Sequence, residues 1–156
     1  MKITLINTGK TKEKYIYTGM QGYISRLQRY VKFDLIEIPD PKKRSNDIAI
    51  VKEFEGKQIL SRLSATNYVI LLDERGKEYT SMEFASHLNQ LMINPGKDIV
   101  CITGGAFGFS PDIYSRGNES IALSKLTFSH QLVRLVFLEQ LYRSFTIIRG
   151  EPYHHQ

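Results

Sequence analysis

The sequence contains one cysteine and no tryptophan among its 156 residues, and no apolar run in it approaches the length of a membrane span. The lone Cys101 excludes an internal disulfide framework and a cysteine-based zinc cluster. The chain opens with Met1-Lys2-Ile3, which leads directly into a strand pattern. Because the sequence has no signal peptide, transit peptide or lipidation motif, it predicts a cytoplasmic protein with no membrane partner.

The composition is that of an ordinary globular protein, with 42% hydrophobic and 24% charged residues. The length predicts a single domain spanning residues 1–156. A net charge of +5 favours a polyanionic partner such as nucleic acid, but such an excess is equally common for solubility alone. The basic residues gather modestly in three places: Lys10, Lys12 and Lys14; Arg26, Arg29 and Lys32; and Lys42-Lys43-Arg44.

Strand and helix patterns alternate five times along the chain, which predicts a three-layer α/β domain with a mostly parallel sheet and helices on both faces. The predicted strands are Lys2 to Asn7, Phe33 to Ile38, Asn67 to Leu72, Asp98 to Thr103 and Glu119 to Leu123. The predicted helices run from Glu13 to Val31, from Asn46 or Asp47 to about Leu63, and from Met82 to Met92, with a short helix begun by Ser110-Pro111-Asp112 and a last one opened by Ser129 and His130.

Four loops follow the carboxyl ends of these predicted strands. Ligands of open α/β sheets bind at this edge, so the loops are the candidates for a site. They are Thr8 to Lys12, Asp73 to Lys77, Gly104 to Phe109 and Ser124 to Phe128.

Two of these loops partly match phosphate-binding motifs. Gly9-Lys10-Thr11 resembles the end of a P-loop, but Thr4 stands where the motif requires its first glycine, so a plain turn is the better interpretation. In Gly104-Gly105-x-x-Gly108, Ala106 occupies the position of the second glycine of a dinucleotide fingerprint. We interpret this loop as a close approach of the backbone to a ligand, with a simple turn as the alternative.

The histidines and the cysteine do not form a metal-binding pattern. His87 is interpreted as a surface residue, and His130 as a capping or packing residue at the start of the last helix. The remaining two histidines lie in the tail, and no cluster has metal-ligand spacing, so we expect no metal. Cys101 lies between apolar neighbours in a strand, which predicts a buried, unreactive thiol.

The last helix carries a predicted core stripe, and its charged residues have more than one interpretation. Glu139 and Arg143 have the spacing of a helical ion pair, so Arg134 and Arg143 can be ordinary solvated or paired charges. Arg143 also precedes the tail, where Tyr153 and His154 can join it in holding a phosphate or a planar base. The stripe consists of Leu132, Leu135, Val136, Leu141 and Phe145.

Three stretches of the sequence resemble the signatures of the RlmH family of SPOUT-class methyltransferases. They are LLDERGKEYTSMEFA from Leu71, ITGGAFG from Ile102, and LSKLTFSHQLVRLVFLEQLYRSFTIIRGEPYHH from Leu123. The last is long and specific, and the resemblance covers essentially the whole chain. Ser129 departs from the family, which often has proline there, but serine is a good helix cap. The ending His155-Gln156 replaces a basic residue found in many members.

The resemblance implies a methyltransferase that uses S-adenosylmethionine to modify N3 of a pseudouridine in the helix 69 loop of 23S ribosomal RNA, in assembled ribosomes. It also implies a trefoil-knotted C-terminal half and a homodimer. The implied catalytic, substrate-side residues are Arg143, Tyr153 and His154, with His154 as the suggested proton acceptor. The implied cofactor-binding residues are Leu72, Gly104, Leu123, Ser124, Lys125, Leu126, Thr127 and Phe128.

Three alternatives stay open at this level. One is a SPOUT methyltransferase with a tRNA target, which would share the fold and the cofactor. Another is a non-catalytic RNA-binding or ribosome-associated α/β domain, which would not bind S-adenosylmethionine. A third, a nucleotide-binding protein of the dehydrogenase kind, is disfavoured by the broken glycine spacing.

Overall fold

Five strands form a single sheet in which every strand pair among the described residues is parallel. The computed structural model describes residues 1–42, 45–93 and 96–155. The strand order is β2-β1-β4-β3-β5. The strands are β1 (Lys2–Thr8), β2 (Lys32–Ile38), β3 (Tyr68–Glu78), β4 (Ile99–Thr103) and β5 (Glu119–Ala122), and the helices are α1 (Lys14–Leu27), α2 (Ile48–Leu60), α3 (Ser81–Ile93), α4 (Pro111–Arg116) and α5 (Leu132–Arg149).

The central strands are apolar on both sides because helices cover both faces of the sheet. On one face Leu5 and Cys101 pack in a core with residues of α1, α3 and α5. On the other face Ile6 and Ile102 pack with residues of α2 and α4. The predicted three-layer α/β architecture is therefore confirmed. Cys101 is buried and unpaired, and burial raises the pKa of its thiol, as expected for an unreactive side chain.

Two predicted helix starts are confirmed in atomic detail. The Asp47 Oδ1 atom accepts hydrogen bonds from the Ala49 and Ile50 amides, at 2.9 and 3.4 Å, and so caps α2. Thr80 and Glu83 form the predicted capping box of α3, with 2.7 Å between the Thr80 amide nitrogen and Glu83 Oε2. These local bonds satisfy amide groups that have no partner within the helix.

The prediction that Asp73 to Lys77 form a loop after the third strand is wrong in one respect. Strand β3 continues to Glu78, but its register with β5 shifts, since both Leu72 and Lys77 are opposite Ile121. The residues between these two positions leave the ladder with β5 and then rejoin it, and we call this segment the excursion of β3. Charged side chains are accommodated there because the segment is not paired with β5. Where β3 rejoins β5, the two backbones approach too closely for a side chain at Gly76. A Cβ atom there would lie 2.5 Å from the Ile121 backbone nitrogen, so the position requires glycine.

The last helix begins later than predicted, and its buried stripe agrees only in part with the predicted one. It starts at Leu132 rather than at Ser129, although the Ser129 Oγ atom accepts a 3.1 Å hydrogen bond from the Leu132 amide. Leu132, Leu135 and Val136 are only half-buried. The prediction is confirmed for Leu141 and Phe145, which are buried, and Phe137 and Leu138 are buried as well.

Two polar residues differ from their predicted environment. Arg134 is neither solvated nor an ordinary surface charge, since it is 0% exposed. His87 is not a surface residue, because it is partly buried and its Nε2 atom lies 2.7 Å from Glu119 Oε1.

Helices α1 and α2 also end earlier than predicted, at Leu27 and Leu60. The predictions at Lys43, Arg44, Pro95 and Gln156 fall outside the described residues.

Candidate active site

A cavity of about 590 Å³ lies at the carboxyl ends of β3, β4 and β5. Its position agrees with the rule that parallel sheets bind ligands at this edge, and its size is in the range of small-molecule sites. Lys125 is not among the residues that line it. The other seven predicted cofactor-binding residues are: Leu72, Gly104, Leu123, Ser124, Leu126, Thr127 and Phe128.

The loop between β5 and α5 is tied to the excursion of β3. Within the loop, Ser124 Oγ accepts a 2.9 Å hydrogen bond from the Leu126 amide. The Thr127 hydroxyl donates to Glu74 Oε2 across 3.2 Å. Two predicted loops therefore meet as neighbouring walls of one cavity. Leu126 is 77% exposed, so an apolar side chain stands at the rim without a partner in the described chain.

The glycine turn after β4 forms a third wall. The Gly108 amide donates to the Gly105 carbonyl oxygen at 3.2 Å, and Gly108 has a φ of +79°. That backbone conformation favours glycine. The turn therefore presents backbone groups to the cavity beside the side chains of Phe107 and Phe109.

A network of hydrogen-bonded side chains, which was not predicted from the sequence, lines the same cavity. The Tyr114 hydroxyl donates to the Asp73 carboxylate, and Arg75 donates to the Tyr114 oxygen at 2.5 Å. Burial opposes the charged form of Asp73, but the hydrogen bonds from Tyr114 and Arg75 outweigh it and lower the pKa of this carboxyl. Asp73 and Arg75 were within a predicted loop, whereas Tyr114 comes from a short helix that carried no motif.

A smaller cavity of about 130 Å³ adjoins the first on the other side of the glycine turn. Both cavities are lined by Gly105, Ala106, Phe107 and His130. Burial, followed by the positive charges of Arg134 and Lys12, lowers the pKa of His130, so its imidazole is neutral at pH 7. The loop Thr8 to Lys12, the fourth predicted site loop, contributes to this smaller cavity.

Glu55 of α2 lines the smaller cavity and was not identified from the sequence. Burial, and secondarily the charge of Asp40, raises the pKa of its carboxyl to about 7. A Cβ atom on Gly105 would lie 2.9 Å from Glu55 Oε1, so this carboxyl rests directly on the glycine turn. No signal in the sequence singles out Glu55 from the other acidic residues of α2.

The predicted substrate-side residues form a cluster around Glu139. Arg143 donates to Glu139 Oε1 from Nε at 3.1 Å and from Nη2 at 2.5 Å, and the Tyr153 hydroxyl donates to the same oxygen at 3.1 Å. The Arg143 guanidinium carbon lies 4.8 Å from the centre of the Tyr153 ring. The hydrogen bond to Glu139 raises the pKa of Arg143, and burial raises that of Tyr153. Arg143, Tyr153 and His154 are therefore brought together, as predicted.

This cluster and the main cavity belong to opposite ends of α5. None of Arg143, Tyr153 and His154 lines the cavity. Arg143 follows Leu132 by eleven residues in a continuous helix, which is about 16 Å along the helix axis. The cavity loop lies before the start of α5, and the tail lies after its end. Within one chain, the predicted cofactor-binding residues and the predicted substrate-side residues therefore lie at two separate places.

A further hollow of about 500 Å³ lies beside α2, lined mostly by apolar and proline side chains such as Pro39, Val51 and Phe54. It is lined neither by the glycine turn nor by the loop between β5 and α5, so we do not regard it as the site. Over residues 1–42, 45–93 and 96–155, no group of three His, Cys, Asp or Glu side chains is arranged to hold a metal ion. None of the helices described is long and apolar enough to cross a bilayer.

A parallel α/β sheet with a cavity at the carboxyl ends of its strands, beside a glycine turn, is typical of α/β proteins that bind a small ligand at this edge. Comparison with known proteins narrows this class, because the family described as "Predicted SPOUT methyltransferase" matches residues 1–154. The chain belongs to the SPOUT methyltransferase family.

Curated relatives resemble the chain over its whole length. A protein named ribosomal RNA large subunit methyltransferase H from Flavobacterium johnsoniae is 50% identical over 157 residues, covering 100% of both chains. Proteins of the same name from Parabacteroides distasonis and Cytophaga hutchinsonii are each 46% identical. The former alignment covers 100% of both chains, and the latter covers 99% of this chain and 100% of the relative.

Proposed function

We propose that this protein methylates N3 of a pseudouridine in the helix 69 loop of 23S ribosomal RNA, in assembled ribosomes, with S-adenosylmethionine as donor. The observation that carries the proposal is the pair of sites described above: a nucleotide-sized cavity at one end of α5 and the Arg143–Tyr153–His154 cluster at the other. The names of the relatives, which refer to the large ribosomal subunit, support an RNA of that subunit as the substrate.

The main cavity fits the proposed donor in size and chemistry. Apolar side chains such as Leu72 and Leu123 can enclose a purine ring, and the glycine turn offers backbone hydrogen-bonding groups. Ser124, Leu126, Thr127 and Phe128 contribute the remaining wall, and we include Lys125 because it belongs to the same loop. When bound, S-adenosylmethionine supplies a methyl group that its sulfonium already activates.

The cluster fits the needs of the acceptor base. An imide nitrogen must lose its proton before it can accept a methyl group, and the resulting negative charge spreads to the neighbouring carbonyl oxygens. The Arg143 guanidinium can stabilise that charge, and Glu139 holds the guanidinium in one orientation. The Tyr153 ring, which packs against the guanidinium, offers a face on which a base can stack.

His154 is proposed as the residue that meets the imide group, either as its proton acceptor or as a hydrogen-bond donor to an adjacent oxygen. A histidine suits either role, because one nitrogen of a neutral imidazole can accept a proton and the other can donate a hydrogen bond. The 3.2 Å contact between Arg143 and His154 Nδ1 bears on the choice between these two roles.

A homodimer is part of this proposal, because one chain keeps the cavity and the cluster apart. Two-fold symmetric dimers are the commonest protein oligomers, and such a dimer can bring the tail of one subunit to the cavity of the other. The exposed Leu126 at the cavity rim provides apolar surface for such a contact. The trefoil-knotted C-terminal half and a cytoplasmic location, both implied by the family, complete the proposal.

The decisive experiment measures transfer of tritiated methyl groups from S-adenosylmethionine to three substrates. These are ribosomes from a strain that lacks this methyltransferase, free 23S ribosomal RNA and bulk tRNA. We expect incorporation into ribosomes, located to a single pseudouridine by nuclease digestion and mass spectrometry. Incorporation into tRNA alone would replace the proposed substrate, and incorporation into none of the three would refute the proposed activity.

A further inference from the structure

The smaller cavity beside the glycine turn shares part of its wall with the main cavity. Gly105, Ala106, Phe107 and His130 line both. The two cavities are therefore neighbours, with the glycine turn between them. The volume of about 130 Å³ suits a short polar group rather than a second nucleotide.

Charges of both signs surround this smaller cavity. Asp40 and Glu55 are its acidic side chains, and Lys10 and Lys12 are its basic ones. Lys12 Nζ is 3.3 Å from Asp40 Oδ2, so these two form an ion pair. Within the described part of the chain, neither Lys10 nor Glu55 forms an ion pair. One unpaired cation and one unpaired carboxyl group thus remain to face a ligand.

The wall that carries Lys10 is rigidly held by α5 and by the residues just before it. The Gln131 side chain donates to the Lys10 carbonyl oxygen at 3.0 Å and accepts from the Lys12 amide at 2.9 Å. The buried Arg134 donates to the Thr8 carbonyl oxygen at 2.6 Å and to the Thr11 hydroxyl at 2.9 Å. Four hydrogen bonds fix the loop after β1, so the cavity is formed before any ligand arrives.

We propose that this cavity receives the amino-acid end of the methyl donor, with its ammonium group at Glu55 and its carboxylate at Lys10. The inference rests on the proposed function, because it extends the donor from the main cavity past the glycine turn. A zwitterion complements one free carboxyl and one free ammonium group, whereas a phosphate or a neutral sugar would leave Glu55 without a partner. A Cβ atom at position 105 would lie 2.9 Å from Glu55 Oε1, so glycine there leaves this carboxyl uncovered by a side chain.

The ionisation of Glu55 is consistent with this role. Burial and the charge of Asp40 raise its pKa to about 7, so the carboxyl titrates near neutral pH. The groups that face it are Asp40 after β2, Lys10 and Lys12 after β1, and His130 before α5. An arriving ammonium group favours the charged carboxylate, which removes the cost of keeping a buried acid ionised.

The test compares two thioethers that differ only in the amino-acid end. S-adenosylhomocysteine has this end, and 5′-methylthioadenosine replaces it with a methyl group. Titration calorimetry measures both ligands with the wild-type chain and with Glu55→Gln and Lys10→Met. The matched control is Glu53→Gln on the same helix, because Glu53 is exposed and pairs with Lys57 instead. Lys10 is exposed, so its variant should fold even if the change at Glu55 disturbs the cavity.

We expect each of the two test variants to weaken S-adenosylhomocysteine binding about tenfold and to leave 5′-methylthioadenosine binding unchanged. Equal weakening of both ligands, or no weakening of either, would overturn the inference while leaving the donor site in place. Failure of the wild-type chain to bind either ligand would instead overturn the proposed function, and the inference with it. The control variant should bind both ligands like the wild-type chain.

Discussion

The Nη1 atom of Arg143 lies 3.2 Å from the Nδ1 atom of His154. A guanidinium can only donate hydrogen bonds, so Nδ1 is the acceptor and the neutral imidazole carries its proton on Nε2. In this arrangement Nε2 is a donor, and Nδ1 can take a proton only if the contact with Arg143 is broken. The geometry therefore favours His154 as a hydrogen-bond donor to an oxygen of the base over His154 as the proton acceptor.

Glutamine and alanine at position 154 separate these two roles. A glutamine side chain can donate from a position near that of Nε2 but cannot take up a proton at neutral pH. We expect His154→Gln to keep at least tenfold more turnover than His154→Ala, measured as methyl transfer at saturating cofactor and ribosome. If both variants lose activity equally, His154 acts as the proton acceptor. Unchanged turnover in His154→Ala would exclude both roles.

The sequence predicted the layers of the fold well because they follow from local patterns. Apolar runs such as Ile99–Thr103 and caps such as Asp47 are properties of neighbouring residues, and the structure confirms them. The position of the main cavity followed from topology, because the parallel strands end at one edge of the sheet. Burial of Arg134 could not be predicted, since its partners Thr8 and Thr11 are more than 120 residues away. Glu55 was missed for the same reason, because only the folded chain places it on the glycine turn.

Arg134 is a buried cation whose loss should destabilise the fold. It is 0% exposed, and its nearest carboxylate oxygen, Glu37 Oε1, is 3.9 Å away. Replacement by methionine would leave the Thr8 carbonyl oxygen and the Thr11 hydroxyl without this donor, and the Glu37 carboxylate without this neighbouring positive charge. We expect Arg134→Met to lower the free energy of unfolding by about 2 to 4 kcal/mol, measured by urea denaturation. Arg149→Met, an exposed position on the same helix, should change it little and serves as the control.

The raised pKa of Glu55 predicts a pH-dependent stability with a definite sign. The folded chain binds this proton up to a pH of about 7, whereas the unfolded chain releases it near 4.5. Because the folded state binds more protons between these values, Glu55 makes the wild-type chain lose stability as the pH rises from 4.5 to 7.

Glu55→Gln removes this titration. We expect its stability relative to the wild-type chain to increase by about 1 to 2 kcal/mol between pH 5 and pH 8, a modest value because the carboxyl is only half-buried. Urea denaturation at several pH values measures the difference, in which the other titrating groups cancel. Glu53→Gln should show no such increase over this range, because its Lys57 partner lowers the pKa of Glu53. A constant difference between Glu55→Gln and the wild-type chain would contradict the assignment.

Gly76 and Gly22 form a matched pair for testing the excursion of β3. A Cβ atom at position 76 would lie 2.5 Å from both the Ile121 nitrogen and the Ser120 carbonyl carbon, which are backbone atoms that cannot turn aside. A Cβ atom at position 22, on an exposed face of α1, would meet nothing within 4 Å. We expect Gly76→Ala to destabilise the chain by more than 2 kcal/mol and Gly22→Ala to stabilise it by about 0.5 to 1 kcal/mol. Thermal and urea unfolding measure both, and equal effects would contradict the close approach at Gly76.

A heterodimer built from two inactive chains tests whether the tail of one subunit serves the cavity of the other. Gly104→Val places a branched side chain in the cavity wall beside Phe109, and Arg143→Ala removes the guanidinium of the cluster. Each variant alone should lack activity as a homodimer. In a heterodimer purified through two different tags, the cavity of the Arg143→Ala chain meets the intact tail of the Gly104→Val chain. One complete site of two is restored, so we expect about half of the wild-type methyl transfer per dimer. A tail acting on its own cavity would leave both sites defective, and the heterodimer would be as inactive as its parents.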